Sequence, residues 1–388
     1  MAAEPVAIVL PWYGPQTAGG AEAHARQLAG ALRQAGVAVE VWSTTARDAR
    51  APLAPFYPEG EDEVDGIRVR RFPANLGADP RLTKELSAAS HPIHELHLLQ
   101  SLAGSDALLR ALAAERAMRR WVFFLYAFPT SFWGVQIAGE RGYLIPCLHD
   151  EPYARYTTTQ RLLRSARRVL ANSASEQQLI CALADLDAAH VPVVGEGIQM
   201  NWRGDGARFR EAHSLQGPLI FFSGRRDHSK NLPLLVAYFG EYLARRGPRV
   251  TLAVAGPGPL AIPPALRRSI VDVGFLSEQA KHDAYAAADI FCMPSLLESY
   301  CIVVMEAWRQ GTPALVHADC PVTVAHARQA NAGLWFRSYH EFAACLDWLL
   351  DDPIAARQLG AQGRAWVERE CRWEDVVQRF YAAVYEQG

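Results

Sequence analysis

The chain has 388 residues, enough for two domains of the usual size of about 100–200 residues. Half of the residues are hydrophobic and the net charge is only −2, which argues against a polyanion-binding protein and so against a nucleic-acid partner. The seven cysteines are scattered without a C-x-x-C pair, so we expect neither a disulfide framework nor a zinc site. No run approaches the ~20 apolar residues of a membrane span, and we expect a cytoplasmic protein.

In chain order, the N-terminal half alternates strands and helices. Apolar runs predict strands at residues 6–10, 37–42, 121–128, 143–148 and 169–171. Helical spacing predicts helices over residues 21–35 and most of 82–120, and another from about 174, where Asn172 or Ser173 can act as the N-cap. The segment 46–65, rich in Pro, Ala and acids, is interpreted as a loop.

The C-terminal half repeats this alternation after a polar, Gly-containing linker at residues 193–210. Strands are predicted at residues 219–222, 250–255, 289–293 and 314–317, and helices at 232–246, 277–287 and 301–310. Alternating strands and helices are typical of doubly wound parallel sheets. We therefore predict two α/β domains with ligands at the C-terminal strand edges, in a cleft between the domains.

A short basic segment, SGRRDHSKN, lies between a predicted strand and a predicted helix at residues 223–231. Backbone N–H groups at such a turn, and the N-terminus of the helix that follows, favour anions. Arg225 can make two parallel hydrogen bonds to a phosphate, and Lys230 adds a compact positive charge. The segment is a candidate phosphate site, although on composition alone a solvated basic loop is the simpler interpretation.

Two glutamates occur in the string PSLLESYCIVVMEAWRQGTP at residues 294–313. Glu298 falls in the loop after a predicted strand, and Glu306 falls in the second turn of the next helix among apolar neighbours. A buried carboxylate is costly unless it accepts hydrogen bonds, and sugar hydroxyls are good donors. The string indicates a carbohydrate site beside the basic segment. The alternative is that Glu306 faces solvent.

Three further features carry less information. Gly19 and Gly20, at a predicted strand-to-helix turn, permit positive φ and close approach of a ligand, as glycines in any tight turn do. His149 directly follows a predicted strand, where a ligand contact and a structural role are about equally compatible. Asp185 and Asp187 form a D-x-D string, but they lie in or after a predicted helix, and we expect no metal there.

Together these segments resemble glycosyltransferase family 4, the retaining enzymes of the GT-B fold, over nearly the whole chain. The E-x₇-E motif of that family matches Glu298 and Glu306, and its G-R-x₄-K phosphate loop matches Gly224, Arg225 and Lys230. These two motifs, in this order and spacing, are quite specific.

The N-terminal half adds three weaker matches to the same family: a G-G-x-E loop, an active-site histidine and an N-S-x-x-E stretch. They fall at Gly19, Gly20 and Glu22, at His149, and at Asn172, Ser173 and Glu176. The resemblance implies an α/β protein of the GT-B fold, in which two Rossmann-like domains face a central cleft. Residues 1–195 would form the acceptor-side domain and 196–370 the donor domain. Residues 371–388 would be a helix that returns to the N-terminal domain.

The resemblance also implies roles for the matched residues. Arg225 and Lys230 would hold the donor diphosphate and replace a metal, so that neither a metal nor a cofactor is required. Glu306 would accept hydrogen bonds from the ribose hydroxyls, Glu298 would contact the donor sugar, and His149 would lie beside the reacting bond. Further donor contacts would come from Gly19, Gly20, Gly224, Ser299, Tyr300 and Cys301.

The sequence departs from the family pattern in two places. Ser299, Tyr300 and Cys301 replace the frequent Gly-Phe-Gly, and their Cβ atoms would narrow the approach of the backbone to the donor. Arg226 stands beside Arg225, so the sequence leaves open which arginine reaches phosphate, although the motif register favours Arg225.

The implied function is retaining, metal-independent transfer of a hexose-type sugar from a nucleotide-diphosphate sugar to a hydroxyl acceptor. That acceptor would be a glycan, a glycolipid or a small molecule, as in polysaccharide biosynthesis. The alternatives are a nucleotide-sugar-binding protein without turnover and a sugar-nucleotide epimerase. For a lipid-linked acceptor, basic surfaces would allow peripheral contact with the inner face of a membrane. They are the helical segment 107–120 and Arg161, Arg164, Arg167 and Arg168.

Overall fold

The structure is a computed structural model that describes residues 4–16, 19–47, 55–75, 95–96, 99, 102–226 and 228–386. The chain divides into two units by its internal contacts. Unit 1 is Met1–Gly197 together with Trp373–Gly388, and unit 2 is Ile198–Arg372. These divisions lie two residues beyond the predicted ends at 195 and 370. Among the described residues, no helix is both long enough and apolar enough to cross a membrane.

The described residues contain thirteen strands. They are β1 (Val6–Val9), β2 (Val39–Thr44), β3 (Gly60–Val64), β4 (Ile67–Phe72), β5 (Arg120–Phe124), β6 (Gly142–Ile145), β7 (Arg168–Val169), β8 (Leu219–Ser223), β9 (Thr251–Ala255), β10 (Ile270–Gly274), β11 (Ile290–Met293), β12 (Ala314–His317) and β13 (Gly333–Phe336). Most are short apolar runs, which is typical of parallel strands buried on both faces.

The described residues also contain thirteen α-helices. They are α1 (Gly20–Gln34), α2 (Asp106–Glu115), α3 (Pro129–Ala138), α4 (Thr157–Ser165), α5 (Ala174–Ala184), α6 (Gly206–Ala212), α7 (Leu232–Arg246), α8 (Glu278–Ala287), α9 (Ile302–Gln310), α10 (Pro321–Ala330), α11 (Tyr339–Asp351), α12 (Pro353–Glu370) and α13 (Trp373–Tyr385). Local signals set several ends. The Ser173 hydroxyl accepts a hydrogen bond from the Glu176 N–H and begins α5, and Gly311, with φ 85°, ends α9.

Both sheets have the strand order of a doubly wound fold. In unit 1 the order is β3-β4-β2-β1-β5-β6-β7, with only β3 antiparallel. In unit 2 it is β10-β9-β8-β11-β12-β13, and every neighbouring pair is parallel. If β3 is left out and the strands of each unit are numbered from one in chain order, both sheets have the strand order 3-2-1-4-5-6. The strand order reverses between β1 and β5 and between β8 and β11, where such folds bind ligands at the carboxyl ends of the strands.

Helix α13 belongs to unit 1, although unit 2 precedes it in the chain. Its residues Trp373, Val376 and Phe380 are buried in the same apolar cluster as α1 and β1. Full burial of each such side chain is worth roughly 1.5–3 kcal/mol. The predicted return of the C-terminal helix to the N-terminal domain is therefore confirmed.

The loop prediction for residues 46–65 is wrong at β3. This strand pairs antiparallel with β4 at the edge of the sheet, and its residues 61–63 are exposed acids, so it lacks the apolar alternation of a half-buried strand. The hairpin turn is formed by Asp65 and Gly66, both with positive φ, and Asp-Gly is a recognised hairpin signal. The predicted strand 121–128 also ends early, because Leu125 has positive φ and Pro129 begins α3.

Part of the predicted helical segment 82–120 lies outside the described residues. Within the described part, α2 spans Asp106–Glu115, and Arg120 already belongs to β5. Ser105 begins α2, since its hydroxyl accepts a hydrogen bond from the Leu108 N–H.

Candidate functional site

Two loops of unit 2 follow the strands β8 and β11, where the strand order reverses. The first runs from Gly224 to Lys230 and the second from Pro294 to Cys301. Because β8 and β11 are parallel neighbours, the two loops leave the same edge of the sheet. The Asn231 side-chain amide donates to the carbonyl of Pro294 at 3.1 Å and ties the loops together.

Lys230 and Glu298 form an ion pair between these two loops. The Lys230 Nζ lies 2.6 Å from Glu298 Oε1, and their side chains are only 23% and 9% exposed. Burial alone would lower the pKa of Lys230, but the Glu298 carboxylate raises it above its usual value. The sequence motifs thus predicted two residues that the fold brings into direct contact.

The two neighbouring arginines of the first loop have different surroundings. Arg225 is exposed, and one of its nitrogens donates to the Ser229 hydroxyl at 2.9 Å. Arg226 is almost fully buried; it pairs with Asp272 and donates to the carbonyl of Val254 at 3.2 Å. The Arg226 guanidinium therefore binds the ends of β9 and β10, whereas Arg225 is exposed.

Close backbone packing explains a glycine beside the first loop. Gly256, with φ 123°, donates its N–H to the carbonyl of Gly274 at 2.8 Å. A Cβ at this position would overlap the carbonyl oxygen of Gly224. Gly224 itself donates to the carbonyl of Ala255 at 3.2 Å, so the start of the basic loop is held against the end of β9. Any larger residue at 256 would displace that loop.

The three residues that depart from the family pattern are all buried. Cys301 has φ 70° and is the N-cap residue of α9, a conformation that favours glycine. The Tyr300 hydroxyl lies 3.1 Å from the Cys371 sulfur, and the Tyr300 ring meets the ring of His326 edge-on at 5.1 Å. Ser299 is 8% exposed. Tyr300 therefore packs into unit 2.

Glu306 is buried, and both of its carboxylate oxygens accept hydrogen bonds from α8. The Lys281 Nζ lies 2.9 Å from Oε1, and the Tyr285 hydroxyl lies 3.0 Å from Oε2. Glu306 is 7% exposed, so the alternative of a solvent-facing residue is wrong. Burial, and then the Glu306 carboxylate, raise the pKa of Tyr285 well above its usual value, so its hydroxyl acts as a donor.

One group of metal-capable side chains occurs among the described residues. Single ligand atoms of Glu278, His282 and Glu306 lie within 4.8 Å of one another. Lys281 stands among them, with its Nζ 3.1 Å from a Glu278 oxygen and 2.9 Å from Glu306 Oε1. The cluster therefore already contains a cation.

In unit 1, Gly19 and Gly20 begin α1. Gly19 has φ 174°, which is extended backbone open to any residue, and Gly20 is the first helical residue. Neither glycine therefore uses the positive φ that glycine permits. A Cβ on Gly19 would overlap only the end of the flexible Glu22 side chain, whose carboxylate accepts a hydrogen bond from the Trp12 indole, so crowding gives at most a weak reason for this glycine. Nothing lies within 4 Å of a Cβ built on Gly20, so packing does not explain that glycine.

His149 follows β6 and is about one-third exposed. Its Nδ1 lies 3.4 Å from Glu151 Oε1, and the same oxygen accepts a hydrogen bond from the Tyr126 hydroxyl at 2.6 Å. Burial would raise the pKa of Glu151, but hydrogen bonds from His149, Tyr126 and Tyr153 lower it below its usual value. The Glu151 carboxylate, which the Tyr126 hydroxyl holds, thus contacts the Nδ1 side of the imidazole.

Glu176 ties the segment before His149 to the end of β7. Its two oxygens accept the backbone N–H groups of Leu148 and Asn172, each at 2.5 Å. Full burial raises the pKa of Glu176 to about 8, although the two N–H donors lower it. The glutamate of the N-S-x-x-E stretch therefore connects the chain segments that follow β6 and β7.

The remaining predicted features have structural contacts. Asp185, with φ 52°, is the C-cap of α5, and Asp187 lies just beyond it. Of the basic cluster, Arg164 donates to the carbonyl of Ala184 at 2.8 Å, and Arg168 donates to that of Ala383 at 3.0 Å. Arg167 pairs with Glu140 at 3.2 Å. Arg164 and Arg168 therefore bind the backbone of unit 1, whereas the Arg167–Glu140 pair is exposed.

The sequence reasoning missed four residues that contact the predicted ones, and a fifth, Tyr126, that contacts one of these four. They are Tyr126, Glu151, Asp272, Lys281 and Tyr285. Lys281 and Tyr285 carried a usable signal, because they are four apart on a predicted helix and therefore share a face. Glu151 is only two residues from His149, whereas Tyr126 and Asp272 meet their partners from segments far apart in the chain.

Comparisons with known proteins cover both units of the chain. A model described as "Glycosyl transferase 4-like domain" matches residues 19–197, and one described as "Glycosyl transferases group 1" matches 205–366. The chain is 30% identical to the D-inositol 3-phosphate glycosyltransferase of Frankia alni, over 91% of each protein. It is 27% identical to the protein of that name from Rhodococcus erythropolis, over 93% of this chain and 85% of the relative.

Two solved structures have the same fold at low sequence identity. Sucrose-phosphate synthase from Thermosynechococcus elongatus has a TM-score of 0.75 and 18% identity, over 97% of each chain. Anabaena HepE in complex with UDP and glucose has a TM-score of 0.71 and 16% identity, over 99% of this chain and all of the other. At these identities the likeness shows the fold alone.

Proposed function

Because this chain belongs to the group 1 glycosyltransferases of family 4, we propose that it transfers a hexose-type sugar to a hydroxyl acceptor with retention of anomeric configuration. It is a glycosyltransferase of the GT-B fold that uses a nucleotide-sugar donor. The proposal adds the stereochemical course of the transfer, the absence of a metal requirement and the roles of individual residues.

The observation that carries the proposal is the Lys230–Glu298 pair where β8 and β11 end. Arg225 and Lys230 lie on one loop after β8, and they would hold the donor diphosphate and stabilise the charge that grows as it leaves. Glu298 would accept hydrogen bonds from the donor sugar. Gly224 and residues 299–301 would place backbone groups next to the donor.

Two features support a reaction without a protein nucleophile and without a metal. Glu298 and Glu306 are each bound to a lysine, so neither is placed as the detached nucleophile or base that glycosidase chemistry uses. In this reaction a donor phosphate oxygen would take the acceptor proton. The cationic side chains of the first loop would supply the positive charge that a metal supplies in other transferases.

In unit 1, we propose that His149 lies beside the reacting bond, and that Gly19 and Gly20 let the backbone approach the donor or the acceptor. The similar proteins named D-inositol 3-phosphate glycosyltransferase make a small phosphorylated polyol one candidate acceptor, besides a glycan or a glycolipid. HepE with UDP and glucose makes a uridine nucleotide the first donor to test. We place the reaction in the cytoplasm. Peripheral membrane contact remains a prediction for a lipid-linked acceptor.

The experiment begins with the donor. Thermal-shift screening against UDP, GDP, ADP and their sugars identifies the nucleotide, since a bound ligand raises the melting temperature by mass action. Release of nucleoside diphosphate from the chosen sugar nucleotide is then measured with candidate acceptors. We expect Lys230→Ala and Glu298→Ala each to lower the transfer rate about 10²–10³-fold, the usual effect of removing one group that stabilises the transition state.

The matched controls are Arg245→Ala and Glu241→Ala, which remove an exposed ion pair on α7. They should leave transfer unchanged, because exposed pairs contribute about 0–1 kcal/mol. Unchanged transfer in both site variants would refute the site assignment. Donor binding without release of nucleoside diphosphate would favour a binding protein, and isomerisation of the donor without an acceptor would favour an epimerase. If EDTA abolishes transfer and added metal restores it, the proposed independence of a metal is refuted.

A further inference from the structure

The Glu306 carboxylate is held from one side by a single face of α8. Lys281 and Tyr285 are four residues apart, so their side chains point in the same direction. Their hydrogen bonds to Oε1 and Oε2 measure 2.9 and 3.0 Å. Each oxygen of Glu306 therefore receives one donor, and the orientation of the carboxylate plane is fixed.

Lys281 is itself held as a charged group. Burial alone would lower the pKa of Lys281, but the carboxylates of Glu306 and Glu278 raise it above its usual value. The Lys281 side chain is 19% exposed and that of Glu306 is 9% exposed. A carboxylate so buried is costly without a compensating cation, and Lys281 supplies that cation.

Lysine is rare in this protein, which makes its positions informative. Of 39 basic residues only three are lysines, at positions 84, 230 and 281. Two of the three bind the two glutamates of the E-x₇-E motif: Lys230 binds Glu298 and Lys281 binds Glu306. Lysine is a compact point charge, whereas arginine presents a planar fork of donors that would cover more of a carboxylate. A lysine leaves more of the carboxylate accessible.

Counting hydrogen-bond positions shows what remains on Glu306. An ionised carboxylate offers about four acceptor positions, and Lys281 and Tyr285 use two of them, one on each oxygen. One position on each oxygen is left. Two neighbouring hydroxyl groups, such as those of a ribose, present two donors at a matching spacing. A 2′-deoxyribose presents only one.

We propose that Lys281 is a positioning residue that fixes the Glu306 carboxylate for two ribose hydroxyls, and that it thereby sets a preference for ribonucleotide over 2′-deoxyribonucleotide donors. This inference rests on the proposed function, because it takes the nucleotide part of the donor to contact Glu306. It assigns the lysine no contact with the reacting atoms.

The metal-capable group at the same place gives the main competing interpretation. The ligand atoms of Glu278, His282 and Glu306 are close enough to share an ion. A divalent ion would have to displace the Lys281 ammonium, which already contacts two of the three side chains. The lysine therefore performs the charge compensation that an ion would otherwise perform, and the experiment includes metals as a separate outcome.

The experiment measures binding rather than turnover. Titration calorimetry compares UDP with 2′-deoxy-UDP, or the corresponding GDP or ADP pair if thermal shift selects another base. The proteins are the wild type, Lys281→Met, Lys281→Arg and the control Glu278→Gln. Glu278→Gln removes the exposed outer partner of Lys281 and leaves Glu306 untouched. All titrations are repeated with EDTA and with Mn²⁺.

We expect the wild type to bind the ribonucleotide about tenfold more tightly than the deoxyribonucleotide, the effect of about one hydrogen bond to a charged group. The ratio of the affinity for the ribonucleotide to that for the deoxyribonucleotide should fall below about threefold in Lys281→Met. It should recover partly in Lys281→Arg and stay unchanged in Glu278→Gln. A general loss of structure would weaken both ligands equally and would not change the ratio. If Lys281→Met does not fold, Tyr285→Phe should lower the ratio by about half while the ion pair stays intact.

Three results would overturn the inference. The first is a folded Lys281→Met protein that keeps the wild-type ratio, or Tyr285→Phe with no change where Lys281→Met does not fold. The second is a wild type that needs Mn²⁺ for nucleotide binding and loses it in EDTA, which would assign the cluster to a metal. The third is a wild type that binds no nucleoside diphosphate, which would refute the proposed function as well. The first result leaves the whole proposed function standing. The second removes only its independence of a metal and keeps the nucleotide-sugar donor, so the failure of this inference can be distinguished from the failure of the proposed function.

Discussion

The buried histidine of α1 predicts that unit 1 loses stability in mild acid. His24 is 1% exposed and packs against the rings of Phe124 and Trp373, with centroids 5.3 and 6.3 Å away. Neither ring nitrogen makes a hydrogen bond to any described residue, and Nδ1 lies 3.6 Å from a Glu196 oxygen. Burial lowers the pKa of His24 to about 3, so burial outweighs the nearby carboxylate.

The direction of the pH effect on stability follows from the pKa of His24 in the folded and unfolded states. In the unfolded chain the pKa of a histidine is about 6.5, so the unfolded state takes up a proton that the folded state refuses. His24 therefore adds stability above pH 6.5, and this contribution is lost as the pH falls towards 3. With about 1.4 kcal/mol per pKa unit, the loss between pH 7 and pH 4.5 is about 2.5 kcal/mol.

The assay is urea unfolding at pH 7 and pH 4.5, followed by tryptophan fluorescence, since Trp373 lies beside His24. In His24→Leu the pH-dependent loss should be smaller than in the wild type by about 2.5 kcal/mol. The control Phe124→Leu removes packing from the same cluster without a titrating group, so its cost should be equal at both pH values. A His24→Leu protein as acid-sensitive as the wild type would refute the reasoning.

Two further predictions concern side chains that hold the candidate site residues. Arg226→Ala should lower the free energy of unfolding by about 1–3 kcal/mol, because its guanidinium is buried against backbone carbonyls, whereas exposed Arg225→Ala should stay within about 0.5 kcal/mol and weaken donor binding instead. Urea unfolding and calorimetry separate the two variants, and equal stability losses would contradict the division. Glu151→Ala should lower kcat about tenfold with the donor Kd unchanged, and Tyr126→Phe, which leaves the carboxylate beside the histidine, should lower kcat less than threefold. Steady-state kinetics with calorimetry test this pair, and a changed donor Kd with unchanged kcat would argue against it.

Much of the fold could be predicted from the sequence because buried parallel strands appear as short apolar runs. The runs at β1, β8, β9 and β11 are apolar almost throughout, and a helix with a clear polar face follows most of them. The edge hairpin was not readable in that way. Strand β3 carries exposed acids on both faces, and only the Asp65-Gly66 turn marks it.

The candidate site was only partly predictable, for a geometric reason. Arg225 and Lys230 follow the end of β8, and strand order then brings their loop next to Glu298. Which way each neighbouring arginine points depends on the carbonyls at the end of β9, which no local pattern reveals. Lys281 meets Glu306 only because α8 packs against α9, so their contact belongs to tertiary packing.

Several charged side chains in and near the loops after β8 and β11 are paired with opposite charges of the protein. Such pairing is compatible with a net charge of only −2. Lys230 pairs with Glu298, Lys281 with Glu306 and Arg226 with Asp272. An anion that approaches Lys230 must share its ammonium with Glu298, so a bare phosphate gains less than it would from an isolated cation. A nucleotide sugar bound as proposed would have a further gain, because its hydroxyls would donate to the same carboxylates that the lysines hold in place. In the proposed site, paired charges would therefore make binding depend on the whole donor rather than on its phosphates alone.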